Sequence, residues 1–306
     1  MKILLVNVDS KIPNLALEKL RVYYEQRGDK VYQIKDRSLL PFIDVYDKIY
    51  VSCVFDYNKH RCRKWESIAE IGGSGYSLKK CLPSKIERIK PKINFGFTTR
   101  GCIRNCSFCI VPEKEGKIYI VGDVYDLWDG QSEDVVIMDN NILAAPEHFF
   151  KISDQLKKEN LRVDFNQGLD HRLLTDEICK ELLSLHHVVK IRFAFDHISY
   201  KKSVEKALNM LKKNGLKDWQ TRWYVYVSVD DTKETVLKRV NILRDAKQLV
   251  FVMRDRKVQN NLEFKKIYSW SCNVWAYAVT PYLEYIENKQ QYTKDNRPKL
   301  FQGKEK

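Results

Sequence analysis

The sequence predicts an α/β protein, a small parallel α/β unit followed by a partial (β/α)6 barrel. Three observations carry that expectation. Short apolar runs alternate with helical stripes along most of the chain. The alternation is compact before residue 90 and longer after it, where six strand candidates recur. The 306 residues, 44% of them hydrophobic, suffice for one large or two modest domains with a sizeable core.

In order, residues 2–8 read as a mostly apolar strand. Asn14 is a helix cap, because its short side chain can accept from the first free N–H groups, and Ala16, Leu17, Leu20, Tyr23 and Tyr24 then share one face. Gly28 ends that helix, and strands come next at 31–34 and 49–55. Gly72-Gly73-Ser74-Gly75 is a flexible turn, and Pro83 and Pro91 punctuate the segment beyond it. These breaks place a boundary near residue 90, giving units at 1–90 and 91–285 and a polar, lysine-rich tail at 286–306. In the second unit strands are expected at 93–98, 134–138, 162–165, 189–195, 222–229 and 249–253. Helices are expected near 146–158, 175–186, 199–214 and 231–245. Thr175 has the residue type of an N-cap, Asp176 and Glu177 put negative charge at the helix start, and Ile178, Leu182 and Leu185 form a buried stripe.

Composition narrows the function classes. The apolar run Ile3-Leu4-Leu5-Val6 meets Asp9 almost at once, so it reads as a strand rather than a leader or a membrane span. A soluble, cytoplasmic protein without a membrane partner is expected. The net charge of +14 makes phosphates, and hence nucleic acid, a reasonable partner, although a lysine-rich surface alone also explains it.

Three of the eight cysteines group. Thr99-Arg100-Gly101-Cys102-Ile103-Arg104-Asn105-Cys106-Ser107-Phe108-Cys109 directly follows the first strand expected of the barrel. C-x3-C-x2-C on a short loop presents three thiolates to three irons of a cubane cluster and leaves the fourth iron open to a small molecule. A structural zinc site usually takes four ligands, often as two cysteine pairs, and the second pair is missing. Cys81 or His171 would have to complete it.

With an aromatic before the third cysteine and a strand before the loop, residues 90–280 resemble the radical S-adenosylmethionine (SAM) superfamily. The run Gly101-Cys102 through Cys109-Ile110-Val111-Pro112, with Gln167-Gly168-Leu169-Asp170-His171-Arg172-Leu173-Leu174-Thr175-Asp176-Glu177, is most similar to the branch of methylthiotransferases and cobalamin-domain enzymes. The resemblance implies a radical SAM barrel behind a Rossmann-like domain of cobalamin-binding type. It implies a four-iron four-sulfur cluster on Cys102, Cys106 and Cys109, SAM chelated by the open iron, and a reducing partner such as flavodoxin or ferredoxin. One electron delivered to the sulfonium would cleave its bond to the 5′ carbon, and the resulting 5′-deoxyadenosyl radical would abstract hydrogen from substrate.

The same resemblance assigns the other positions. Phe108 packs on adenine. Asp139, Asn140 and Asn141 end the second barrel strand, where the family often has a Gly-Gly-Glu-like motif; both glycines are missing here, but a carboxylate or amide oxygen still accepts from the SAM ammonium. Asn166 and Gln167 end the third strand and Asp196 the fourth, in reach of ribose or substrate. Ser228 and Asp230 end the fifth and Arg254 the sixth, where a guanidinium suits a carboxylate or phosphate. An ordinary loop role competes at each of these positions.

The first unit lacks the family's hallmarks. Cys53, Cys62 and Cys81 are spaced 9 and 19 residues apart, tighter than a methylthiotransferase's second cluster, and Cys53 reads as core. The Asp-x-His-x-x-Gly signature of cobalamin binding is absent around Asp56 and His60. Cobalamin is therefore not expected, and a degenerate domain shaping the entrance is. The leading function is a radical SAM enzyme on an unknown substrate, with nucleic acid or a nucleoside favoured by charge. Its competitor is a non-catalytic iron–sulfur or zinc protein that binds nucleic acid.

Overall fold

A computed structural model describes residues 1–36 and 43–291. By compactness the chain divides into Met1–Met138 and a unit beginning at Asp139, so the boundary expected near residue 90 falls inside the first unit. Of the tail expected at 286–306, residues 292–306 lie outside the described residues. The protein is mixed α/β with parallel sheets.

The first unit opens with β1 (Lys2–Asn7), α1 (Leu15–Glu25), β2 (Lys30–Lys35), β3 (Lys48–Ser52) and β4 (Glu70–Gly72). The strands pair in parallel in the order β2-β1-β3-β4. Alternation along β1 sorts its side chains onto two faces. Leu4 and Val6 join Ile49, Val51 and Ile71 under Cys62 and Trp65 of the 3-10 helix Asp56–Trp65. Ile3 and Leu5 pack instead under Leu17, Leu20 and Tyr24 of α1 and Ile86 of α2 (Ser84–Glu87). Asn14 caps α1 as its residue type predicts: Oδ1 accepts from Leu17 N–H at 3.3 Å, and Nδ2 donates to Ser52 Oγ at 2.8 Å.

The rest of this unit is irregular. Here lie β5 (Phe95–Gly96), β6 (Thr99–Arg100), α3 (Val111–Lys114), β7 (Tyr119–Ile120), α4 (Val124–Leu127) and β8 (Asp134–Ile137). The strand expected at 93–98 shrinks to two residues. Asn94 adopts φ +59°, which breaks the extended chain, and its amide donates to Asp129 at 2.7 Å. β5 pairs in parallel with β8, while β6 and β7 form an antiparallel ladder that no periodicity announced.

The second unit holds α5 (Pro146–Lys158), β9 (Arg162–Phe165), α6 (Asp176–Ser184), β10 (His186–His187), β11 (Ile191–Ala194), α7 (Lys201–Lys213), β12 (Thr221–Val227), α8 (Lys233–Asp245), β13 (Leu249–Arg254), α9 (Leu262–Cys272), α10 (Val274–Val279) and α11 (Tyr282–Glu287). The four helices expected from periodicity appear within two residues of their expected ends. Thr175 caps α6 by accepting from Ile178 N–H, and Ile178, Leu182 and Leu185 are buried. β11, β12 and β13 form a parallel sheet, and a parallel bridge from Leu169 to Phe193 continues it toward the segment after β9. Trp223, Val225 and Val227 are fully buried on one face of β12, with Val236, Val240 and Leu243 of α8 also buried. The C-terminal helices went unread in the sequence. They close this core through Tyr277, whose hydroxyl is shared between Val240 O and Gln248 O at 3.2 and 3.1 Å. Among the described residues no helix is long and apolar enough to cross a membrane.

Candidate functional site

The cysteine loop lies in the first unit and is pinned at its base. β6 pairs with β7, the Arg100 guanidinium binds Glu115 at 2.8 Å, and Cys102 N–H donates to Gly116 O at 3.1 Å. Gly101 makes this closure possible. Its φ is +81°, and a Cβ there would stand 2.2 Å from Lys117 O. Beyond this anchor Cys102, Cys106 and Cys109 are half-buried, and none is in a disulfide. Cys102 Sγ accepts from Arg104 N–H at 3.3 Å, Cys109 Sγ accepts from Val111 N–H at 3.5 Å, and Cys109 N–H closes a turn onto Cys106 O at 3.0 Å. Phe108 is 46% exposed, between the equally open Ile103 and Ile110.

The donor set suits an iron–sulfur cluster: three accessible thiols on one pinned loop, two already receiving backbone N–H groups of the kind that tune cluster sulfurs. Among the described residues no group of three or more His, Cys, Asp or Glu side chains is arranged to hold a metal ion. The three thiols share a loop and do not form such a group as they stand. The other cysteines are placed differently. Cys53 and Cys62 are buried in the sheet core, where burial first, with Asp9 beside them, pushes both thiols up, and Cys81 is exposed. Cys53 is core, as its sequence context implied.

In the second unit Asp139 and Asn141 are buried and Asn140 is half-buried, leading into the 3-10 turn Ile142–Ala144. Asn166 follows β9; its amide lies 3.5 Å from Asp164 Oδ2, and Tyr224 OH donates to its carbonyl at 3.5 Å. Gly168, at φ +89°, lies so close to the Tyr224 ring that a Cβ would sit 3.3 Å away. In the Asp170-His171-Arg172 stretch, Asp170 binds Arg172 through Nε at 2.7 Å and Nη2 at 3.1 Å. His171 is buried against Trp223, with Nε2 3.0 Å from Ser203 Oγ, so its ring is engaged in packing. Arg254 donates to Gln259 O at 2.7 Å and stacks over Tyr268.

Asp196 lies just after β11. Burial pushes its carboxyl up to about 6, against the opposing pull of Arg239 and a hydrogen bond to the Tyr226 backbone. Arg239 escaped the sequence patterns. Its side chain is fully buried; Nη1 donates to Phe195 O at 3.2 Å and to Asp196 O and Tyr226 O at 2.7 Å, while Nη2 binds Asp231 at 2.6 Å. One guanidinium therefore ties the carboxyl ends of β11 and β12 together. Ser228 belongs to the same knot, its N–H donating to Asp231 at 2.9 Å, and Asp230 N–H in turn donates to Ser228 Oγ at 3.2 Å.

The sequence also left unread the polar face of this sheet. Opposite Trp223, Val225 and Val227, β12 carries Arg222, Tyr224 and Tyr226. Arg192 of β11 pairs with the buried Asp164, and Tyr226 OH donates to Asp255 at 2.5 Å. The strict alternation of Thr221-Arg-Trp-Tyr-Val-Tyr-Val227 is the signal that would have found it.

No family model matches the chain. Over 119 residues it is 29% identical to a bacteriochlorophyllide d C-8(2)-methyltransferase from Chlorobaculum tepidum, a stretch covering 38% of this chain and 24% of that enzyme. The chain thus matches about a quarter of that relative's length. Among solved structures, a D-lactate dehydrogenase from Sporolactobacillus sp. aligns over 95% of this chain and 92% of its own at 12% identity. Its TM-score is 0.30, too low to bear on fold or function.

Proposed function

We propose that the chain is a radical SAM enzyme, with residues 91–285 as its catalytic barrel and Cys102, Cys106 and Cys109 holding a four-iron four-sulfur cluster. The pinned loop with three half-buried thiols, two of them receiving backbone N–H groups, is the observation that carries this reading. The stretch shared with a methyltransferase supports an enzyme that handles SAM. When bound, the cluster supplies the electron that cleaves the sulfonium bond. This chain's own residues hold and orient. The β6–β7 clamp and Gly101 fix where the loop leaves the fold, Phe108 offers an open ring to adenine, and Arg239 holds the strand ends that carry Asp196. Asp139, Asn140, Asn141, Asn166 and Arg254 are proposed cofactor contacts. A flavodoxin- or ferredoxin-type donor would deliver the electron, and a nucleic acid or nucleoside is the substrate class that charge favours.

Anaerobic reconstitution, followed by reduction with SAM present, tests the proposal. The expected result is about four irons per chain and 5′-deoxyadenosine among the products, both lost in Cys106→Ala. A fully loaded cluster that yields no 5′-deoxyadenosine would overturn it in favour of a non-catalytic iron–sulfur or zinc protein that binds nucleic acid.

A further inference from the structure

The β2-β1-β3-β4 sheet has an uneven cover. Four strands spaced about 4.8 Å apart need more than one helix, about 10 Å across, to cover a face. On the Ile3–Leu5 face α1 shields the β1 side. Over β3 and β4 that face remains a cleft, floored by Tyr50, Ser52, Glu70 and Gly72 and walled by the segment 77–87. The cavity measures about 610 Å³, within the range typical of small-molecule sites.

Its lining combines flat apolar surface with excess positive charge. Tyr24 and Tyr50 meet hydroxyl to hydroxyl at 2.5 Å, and the Tyr23 ring is flanked by Arg27 at 5.5 Å and Lys85 at 5.3 Å. Seven lysines and arginines line the cavity against three glutamates. Two of those carboxylates are already bound by cations: Glu115 by Arg100, and Glu87 by Lys19 at 2.6 Å. Lys19 is itself buried, with its ammonium also donating to Glu87 O at 2.6 Å, and burial draws its pKa down. Among the described residues neither Lys80 nor Lys85 is ion-paired to a carboxylate, and both are exposed where they line the cavity. A cation near a low-dielectric aromatic wall attracts an anion more strongly than it would in open water.

We propose that this cavity binds a small organic anion with a flat aromatic body, its rings against Tyr23 and Tyr50 and its carboxylate, sulfonate or phosphate toward Lys80 and Lys85. Arg100 and Glu115, which pin the base of the cysteine loop, also line this cavity. Gly72 offers a clean way to close it. It lines the cavity at the end of β4, its φ lies outside the left-handed region, and a Cβ there meets nothing within 4 Å. Its neighbours give no such freedom, since a Cβ on Gly73 or Gly75 would stand 2.3 Å from the Cys53 or Phe55 backbone.

The test is a titration of the full chain with 8-anilinonaphthalene-1-sulfonate, read by fluorescence and by calorimetry. Saturable one-to-one binding is expected. Gly72→Phe should weaken it at least about tenfold without lowering the melting temperature, while Gly72→Ala keeps it. Reversing both lysines, Lys80→Glu with Lys85→Glu, should cost about tenfold, because surface charges near an anion act through Coulomb attraction. The neutral analogue N-phenyl-1-naphthylamine should bind more weakly than the sulfonate. Absent or non-saturable binding, binding indifferent to Gly72→Phe or to the charge reversal, or equal affinity for the neutral analogue would each overturn the proposal. Production of 5′-deoxyadenosine is a separate readout and tells failure here from failure of the cluster reading.

Discussion

Asp196 is a carboxyl that burial keeps protonated to higher pH than usual. Its folded pKa of about 6 lies above the ordinary value of 3.8, so the native state holds this proton more tightly than the unfolded chain does. As pH rises from about 4 to about 6 the unfolded carboxyl ionises first, and stability falls through that window. Asp196→Asn should remove this slope and stabilise the protein at pH 8 by roughly 1–3 kcal/mol, measured as the difference between the two urea-unfolding profiles across pH. An identical pH profile in the variant would show that the group is not perturbed. Gly101 makes a different kind of prediction. Adding a Cβ there both strains a left-handed φ and drives it into Lys117 O, so Gly101→Ala should cost on the order of 2–3 kcal/mol and lower iron loading on reconstitution. The three cysteines were legible as a set because spacing along a loop is a property of the chain itself. Arg239 was not. An arginine inside a helical pattern reads as surface, and only the carbonyls of Phe195, Asp196 and Tyr226 around it explain its complete burial.

At the scale of elements, helices were readable and short strands were not. α6 carries its whole specification locally: Thr175 as cap, acidic residues in the first turn, and a stripe at helical spacing. Thr175→Ala should cost about 1 kcal/mol, seen by chemical denaturation, with Thr175→Ser close to neutral. β5, by contrast, survives as two residues because Asn94 turns its backbone and Asp129 holds the amide. β6 and β7 exist because the chain returns from Gly116 to pair with Arg100, a contact that no run of two residues announces. α8 is tied to the sheet by Arg239 as well as by its buried Val236, Val240 and Leu243. Arg239→Met removes the donor from three carbonyls and leaves Asp231 buried without its cation, so a loss of about 3–5 kcal/mol is expected from thermal or urea unfolding.

Across the whole molecule, charge and topology set different limits. The net charge of +14 predicts that any binding to RNA or DNA falls linearly on a log–log plot as salt rises. Anisotropy titrations at several salt concentrations measure that slope, and a flat slope would remove nucleic acid as a partner favoured by charge. The α/β class, the main helices, the caps Asn14 and Thr175, and the spacing of the three cysteines were determined by the sequence alone. Each rests on local information: residue type at a cap, apolar spacing along a helix, thiol spacing along a loop. Only the tertiary structure decided that Asn94 interrupts a strand and that His171 is engaged in packing. It also decided that a buried guanidinium ties β11 to β12, and that among the described residues a cavity lies over β3 and β4 on one face of the first sheet. Those features depend on which distant backbone groups meet, and pairing over tens of residues leaves no period in the sequence to be read.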